Sequence, residues 1–162
     1  MRQLELLAPA RDAQIGIAAI DCGADAVYIA GPQFGARQAA GNSIDDIRKL
    51  CSHAHRFGAR IFVALNTILY DNELEAAYRQ MLAVQEAGAD ALIVQDMAIV
   101  KMASEGIGNL KEDFRIPLHA STQCAIRTPE HAVFLEGLGF SRLILERELS
   151  LDQIKAIRKA VS

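Results

Sequence analysis

A parallel α/β sheet with a helix after each strand is predicted by three features of this chain. Four segments begin with glycine and run into a short apolar strand that stops at a polar residue. They are Gly23-Ala-Asp-Ala-Val-Tyr-Ile-Ala-Gly31, Gly58-Ala-Arg-Ile-Phe-Val-Ala-Leu-Asn66, Gly88-Ala-Asp-Ala-Leu-Ile-Val-Gln-Asp96 and Gly139-Phe-Ser-Arg-Leu-Ile-Leu-Glu-Arg147. Each glycine follows an amphipathic stretch, where a left-handed residue closes a helix. The apolar runs are continuous rather than alternating, as in parallel strands covered on both faces. The unit recurs roughly every 30 residues, the mark of a (β/α) repeat. Six such units can be read. That is fewer than a closed eight-stranded barrel needs, and regular for an open doubly wound sheet. No Gly-x-Gly-x-x-Gly turn follows any strand, so the dinucleotide fingerprint is absent. The reading adopted is a TIM-type (β/α) barrel truncated to about six βα units, with residues 1–162 as a single partial domain at the N-terminal part of a longer protein. A complete open parallel sheet is the alternative.

The elements follow in order. Strand one is expected over Leu4–Ala8 and helix one over Asp12–Cys22. Strand two spans Ala26–Ala30. Helix two starts after Ser43, a natural N-cap with Asp45 and Asp46 in its first turn, and ends at Phe57. Strand three is Arg60–Leu65, and helix three runs from Asp71 to Ala87 with Leu74, Ala77, Met81, Val84 and Ala87 as its apolar stripe. Strand four is Ala91–Gln95, followed by a short helix over Met97–Ser104 and an irregular connection over Gly106–Arg115. Strand five is Pro117–Ala120. Thr128 caps helix five, with Pro129 at its first position. Strand six is Arg142–Leu145, and Ser150 caps helix six.

The chain has 162 residues, is 51% apolar and carries a net charge of −3. It can bury a core, and it lacks the basic stripe of a purely electrostatic nucleic-acid binder. An RNA substrate held through a partner or a further segment stays open. No window approaches the ~18 apolar residues of a membrane span. No basic stretch followed by a long apolar one opens the chain, so a cytoplasmic location and no membrane partner are expected. Cys22, Cys51 and Cys124 are odd in number and widely spaced, which suits neither a disulfide framework nor a zinc site. Cys22 and Cys51 are expected in the helical core. No metal ligand set is assigned.

In (β/α) folds the chemistry gathers at the carboxyl ends of the strands. Here those ends read Pro9-Ala-Arg-Asp12, Gly31-Pro32 with Phe34-Gly-Ala-Arg37, Asn66-Thr67, Gln95-Asp96, His119-Ala-Ser-Thr-Gln-Cys124 and Glu146-Arg-Glu148. Nearly every strand delivers a hydrogen-bonding side chain to one rim. His119 can act as acid, base or metal ligand, or can be a core histidine bonded to a neighbour. Ser121 and Gln123 can bind phosphate or carbonyl oxygens, or cap their loop. Asn66 and Gln95 end adjacent strands and can present amides to one pocket, whereas Asp96 suits a helix cap. Glu146 and Arg147 fit either a catalytic role on an anionic substrate or a self-satisfied ion network. Arg37 follows a glycine turn and can contact an anion or stay solvated. Glu5 is costly in an apolar strand unless paired, and Arg147 is one candidate partner. The five lysines avoid the strand ends, there is no His-Glu-x-x-His, and no Gly-x-Ser-x-Gly elbow occurs.

Several of these spellings resemble one family in both sequence and order. Glu5-Leu-Leu-Ala-Pro-Ala10, Gly23-Ala-Asp-Ala-Val-Tyr28, Phe34-Gly-Ala-Arg37, Leu65-Asn-Thr67, Asp90-Ala-Leu-Ile-Val-Gln-Asp96, His119-Ala-Ser-Thr-Gln123 and Arg147-Glu-Leu-Ser150 are similar to the N-terminal part of the collagenase-like protease family, peptidase family 32 of unassigned mechanism. The resemblance implies a TIM-type barrel and a peptidase label, a protease or other hydrolase. It also implies relatives that hydroxylate tRNA, ribosomal RNA or a quinone precursor, some with a cysteine-held iron–sulfur cluster. The substrate expected on that basis is a peptide or RNA. Arg11 stands where the family usually has glycine, and its bulk would crowd a ligand at that turn. The family's cysteine-rich signature lies downstream of Arg147-Glu-Leu-Ser150, so no cluster ligand is carried over and the cofactor stays unassigned. His119, Glu146 and Arg147 are the candidate catalytic residues; Asn66, Gln95, Ser121, Gln123 and Arg37 are the candidate substrate contacts. A reading of another class is a non-catalytic partial barrel that oligomerises, as a homodimer, through its open strand edges.

Overall fold

The computed structural model describes residues 4–36 and 41–162. Strands and helices alternate: β1 (Leu7–Ala10), α1 (Ala13–Asp21), β2 (Ala26–Ala30), α2 (Ile44–Arg56), β3 (Arg60–Leu65), α3 (Leu74–Glu86), β4 (Ala91–Val94), α4 (Met97–Glu105), β5 (Leu118–Ala120), α5 (Pro129–Gly137), β6 (Arg142–Leu143) and α6 (Leu151–Ala160). The six strands form one sheet in strictly sequential order, each parallel to the next. A doubly wound sheet reverses its order at a switch point. This one never does, so every crossover steps the same way, as in a (β/α) barrel.

The sheet is also curled. In a flat sheet, five steps of about 4.8 Å would hold β1 and β6 about 24 Å apart. Instead Glu5, just before β1, pairs with Arg142, the first residue of β6, as well as with Arg60, the first residue of β3. The second Arg142 nitrogen donates to the same carboxylate at 3.4 Å. Both guanidiniums also approach the Phe62 ring, with the Arg60 and Arg142 Cζ atoms 5.7 and 5.2 Å from its centre. The expected Glu5–Arg147 pairing does not form. Glu5 sits at the amino-terminal end of the sheet, whereas Arg147 lies beyond the carboxyl end of β6.

Curling gives the strands two unlike faces. The outer face carries Val27, Ile29, Ile61, Val63, Leu65, Leu92 and Val94, which pack with Ile47, Leu50, Ala77, Met81 and Ile99 of the helices. The inner face is a smaller cluster of Ala26, Phe62, Ala91 and Ile93, with Tyr28, Ala64 and Ile144 against it.

Local chemistry sets the element ends. Asp12, Ser43, Thr128 and Ser150 each accept a backbone N–H in the first turn of the following helix. Asp96 does the same for α4 and also accepts from Leu69 N at 2.8 Å. Gly23 and Gly88 turn the chain out of α1 and α3 at φ of 100° and 93°, a region that a Cβ disfavours. β1 starts three residues later than expected. Pairing begins at Leu7 with Ala26, while Leu6 N is drawn off to the Asp25 carboxylate at 2.7 Å, leaving Leu4 and Leu6 exposed. α3 is preceded by a 3₁₀ turn over Asp71–Glu73 rather than starting there. β6 pairs over two residues, and one further bond joins Ile144 N to Ala120 O at 3.0 Å. Cys51 is in the core as expected, but Cys22 is exposed, because it is the C-cap of α1 and points away from the packed face.

Glu5→Ala strands two partly buried guanidiniums and is expected to destabilise the fold by about 2 kcal/mol in urea unfolding. A change smaller than the scatter of the measurement would show that the curl does not depend on this pair.

Candidate functional site

The carboxyl ends of β1, β2, β3 and β5 surround a cavity of about 300 Å³. Its apolar lining is small: Pro9, Ala10, Ala30 and Ala64, with the exposed Ala36 from the loop after β2. Its polar lining is Arg11, Asn66, Thr122 and Gln123 at the strand ends and Tyr28 one row deeper than Ala30, where it pairs with Phe62. The register explains the apolar lining, since Ala30 pairs with Ala64, Ala64 with Ile93 and Ile93 with His119 in one row across the sheet. Barrel interiors are ordinarily filled by bulky branched side chains, and two alanines in this row leave it underfilled.

Asn66 is locked by both ends of its amide. Its Oδ1 accepts from Ala36 N at 3.1 Å, and its Nδ2 donates to Ser121 Oγ at 3.4 Å. Ser121 is buried, and its hydroxyl also accepts from Gln123 N at 3.2 Å, shaping the 3₁₀ turn Thr122–Cys124. The loop after β2 is tied down as well. Gln80 of α3 accepts from Gln33 N at 3.0 Å and donates to Gln33 O at 2.7 Å, while Thr67 N and Oγ1 both donate to Phe34 O at 3.2 Å. Those ties hold Phe34 in the left-handed region at φ 59°; Ala125, after β5, is there at φ 54°. Such strain in bulky or Cβ-bearing residues persists only where surroundings over-determine it, and it clusters at functional sites.

His119 lies on the inner face, 5% exposed, its ring edge-on to Phe62 at 4.8 Å. Its Nδ1 is buried and has no hydrogen-bond partner among the described residues. Burial first, then the positive charges of Arg142 and Arg60, push its pKa down to about 4, so the ring is neutral at pH 7. Cys124 donates to Val94 O at 3.6 Å, and burial raises its pKa, so the thiol is not activated.

The structure thus brings Asn66, Ser121 and Gln123 together at one mouth, while His119, packed on Phe62, does not line the cavity. Glu146 and Arg147 do not line this cavity. Glu146 accepts from Arg127 at 3.4 Å, and Arg147 is exposed with no ion pair among the described residues. Gln95 is half-buried and also outside the cavity lining. Arg37 lies outside the described residues. Tyr28 was not a sequence candidate for the site. The signal was its place two residues before Ala30 on a strand whose alternate residues face inward. Among the described residues, no three His, Cys, Asp or Glu side chains gather within metal-holding range. The three cysteines sit on different elements, so they do not fit an iron–sulfur cluster. No helix among the described residues is long and apolar enough to cross a membrane.

A model of peptidase family U32 matches residues 11–162. The chain belongs to peptidase family U32. It is 56% identical over 158 residues to the 23S rRNA 5-hydroxycytidine C2501 synthase of Escherichia coli K12, a match covering 98% of this chain and 23% of that protein. It is 29% identical to a collagenase of Porphyromonas gingivalis, over 99% of this chain and 37% of that protein. The solved structure of the U32 peptidase Mk0906 matches all of the chain and 68% of its own length, with a TM-score of 0.73 at 15% identity, which shows the shared fold. The chain therefore spans well under half of the curated U32 relatives named here.

Two measurements test this U32 site. His119 binds protons less readily folded than unfolded, so between pH 6.5 and about 4 the unfolded chain holds more of them. Stability is therefore expected to fall as the pH drops through that window, and His119→Gln to flatten the slope, read from urea midpoints at several pH values. A variant slope equal to that of the parent would contradict the neutral buried ring. Asn66→Ala removes the acceptor of Ala36 N, and hydrogen exchange at that amide is expected to speed up about tenfold.

Proposed function

We propose that this chain is the substrate-holding barrel portion of an enzyme that hydroxylates a cytidine in ribosomal RNA. The observation that carries the reading is the 56% identity, across 98% of the chain, to the 23S rRNA 5-hydroxycytidine C2501 synthase. The site chemistry supports it against proteolysis, the activity named for the family. Ser121 Oγ is engaged by Asn66 Nδ2 and Gln123 N, and His119 Nδ1 accepts nothing from it. A serine nucleophile needs an imidazole bonded to its hydroxyl, and a cysteine nucleophile needs a lowered pKa. Neither arrangement exists among the described residues. What the mouth does offer is amides and hydroxyls in fixed positions, groups that read the edges of an unpaired base.

In this reading Asn66 and Ser121 hold the rim in shape, and Gln123 and Thr122 face the ligand. His119, neutral and buried against Phe62 behind the cavity lining, is proposed as an acid–base group. Glu146 and Arg147, away from the cavity, are proposed to meet the RNA outside it. Deleting the encoding gene is expected to abolish 5-hydroxycytidine in 23S rRNA, measured by mass spectrometry of digested RNA, and the intact gene to restore it. Unaltered nucleoside content in the deletion strain would refute the reading.

A further inference from the structure

We propose that the 300 Å³ slot at the strand ends receives a single unpaired pyrimidine base turned out of its RNA strand, with Ala30 and Ala64 as the floor that makes room for the ring. This rests on the RNA reading above and goes beyond it by assigning the place and the residues. Two observations carry it.

The first is size. About 300 Å³ is at the lower end of small-molecule pockets, suited to one ring and part of its sugar rather than to an extended peptide. The second is composition. Alanine and proline line its apolar side with the Tyr28 ring one row deeper, while Asn66, Thr122 and Gln123 stand at the strand ends. A flat ring needs that division, with apolar contact on its face and hydrogen bonds at its edge.

The rim also accounts for the strand the base comes from. Arg11 is exposed at the cavity edge and pairs with Asp12 at 3.1 Å, leaving other guanidinium donors for a phosphate next to the turned-out base. Asp12 is at the same time the N-cap of α1, so Arg11 is held close to the mouth by a residue that cannot move without uncapping a helix. The side chain that would crowd a larger ligand at this turn thus fits one that carries a phosphate.

The test fills the slot. Ala64→Leu and Ala30→Leu, made separately in the protein expressed from its natural gene, place a branched side chain where the ring would lie. With thermal melting near that of the parent, each is expected to lower 5-hydroxycytidine in 23S rRNA by about tenfold or more in the complemented deletion strain. Folded variants that restore the nucleoside to the parental level would overturn the slot while leaving the RNA reading intact. A second measurement needs no variant and does not depend on the cellular reaction. Hydrogen exchange of the parent protein is followed with and without an RNA stem-loop carrying one unpaired cytidine. Protection of the segments 26–36 and 119–125 supports the slot, and protection confined to other surfaces, or none, overturns it. An unaltered nucleoside in the deletion strain would refute the RNA hydroxylation reading alone, and the stem-loop result would still decide the slot.

Discussion

The architecture turns on one carboxylate between two arginines. Glu5 reaches from the segment before β1 to the first residues of β3 and β6. A parallel sheet has an intrinsic twist but no fixed closure. An ion pair between its first and last strands converts twist into curl. The contact is partly buried, with the Glu5 side chain 18% exposed, so it is less screened than a surface pair. Phe62, approached by both guanidiniums, gives His119 an edge to pack on.

That floor determines what the mouth can be. Burial first, then the charges of Arg142 beside it and of Arg60, keep the His119 imidazole uncharged. Along the sheet toward β2 the row thins to Ala64 and Ala30, and the interior opens there instead of closing on a packed layer. The loops over this opening are stiff. Gln80, Thr67 and Asn66 each fasten the segment after β2 to α3 or β3, and the left-handed Phe34 records how tightly that segment is held. Stability at one end of the sheet and openness at the other are the usual division of labour in a (β/α) barrel.

Much of this could be read from the chain. The glycine-led repeat located four of the six strands, and the caps at Ser43, Asp96, Thr128 and Ser150 are side chains whose chemistry is local. The rim residues followed from a rule about strand ends. Errors arose where a distant partner decides. Leu4–Leu6 has the apolar character of a strand start, yet Asp25 captures Leu6 N and moves the start of pairing. Glu5 was recognisable as a carboxylate in need of a partner, but Arg60 and Arg142 are 55 and 137 residues away. Gln80, a polar residue of α3, is buried against the loop after β2, a contact that no local pattern signals.

Composition, periodicity and capping residues are near-neighbour properties, and they alone determined the (β/α) repeat, its unit length and the set of polar side chains at the strand ends. Which of those side chains share a mouth was decided by tertiary structure. Asn66 meets Ser121 across β4, and Ala30 and Ala64 become a floor only because the register aligns them. Glu146 and Arg147, equally polar and equally placed at a strand end, are left outside because β6 is short and its end turns away. Hydrogen-bond register and sheet curvature are properties of paired strands, and no single stretch of sequence contains them.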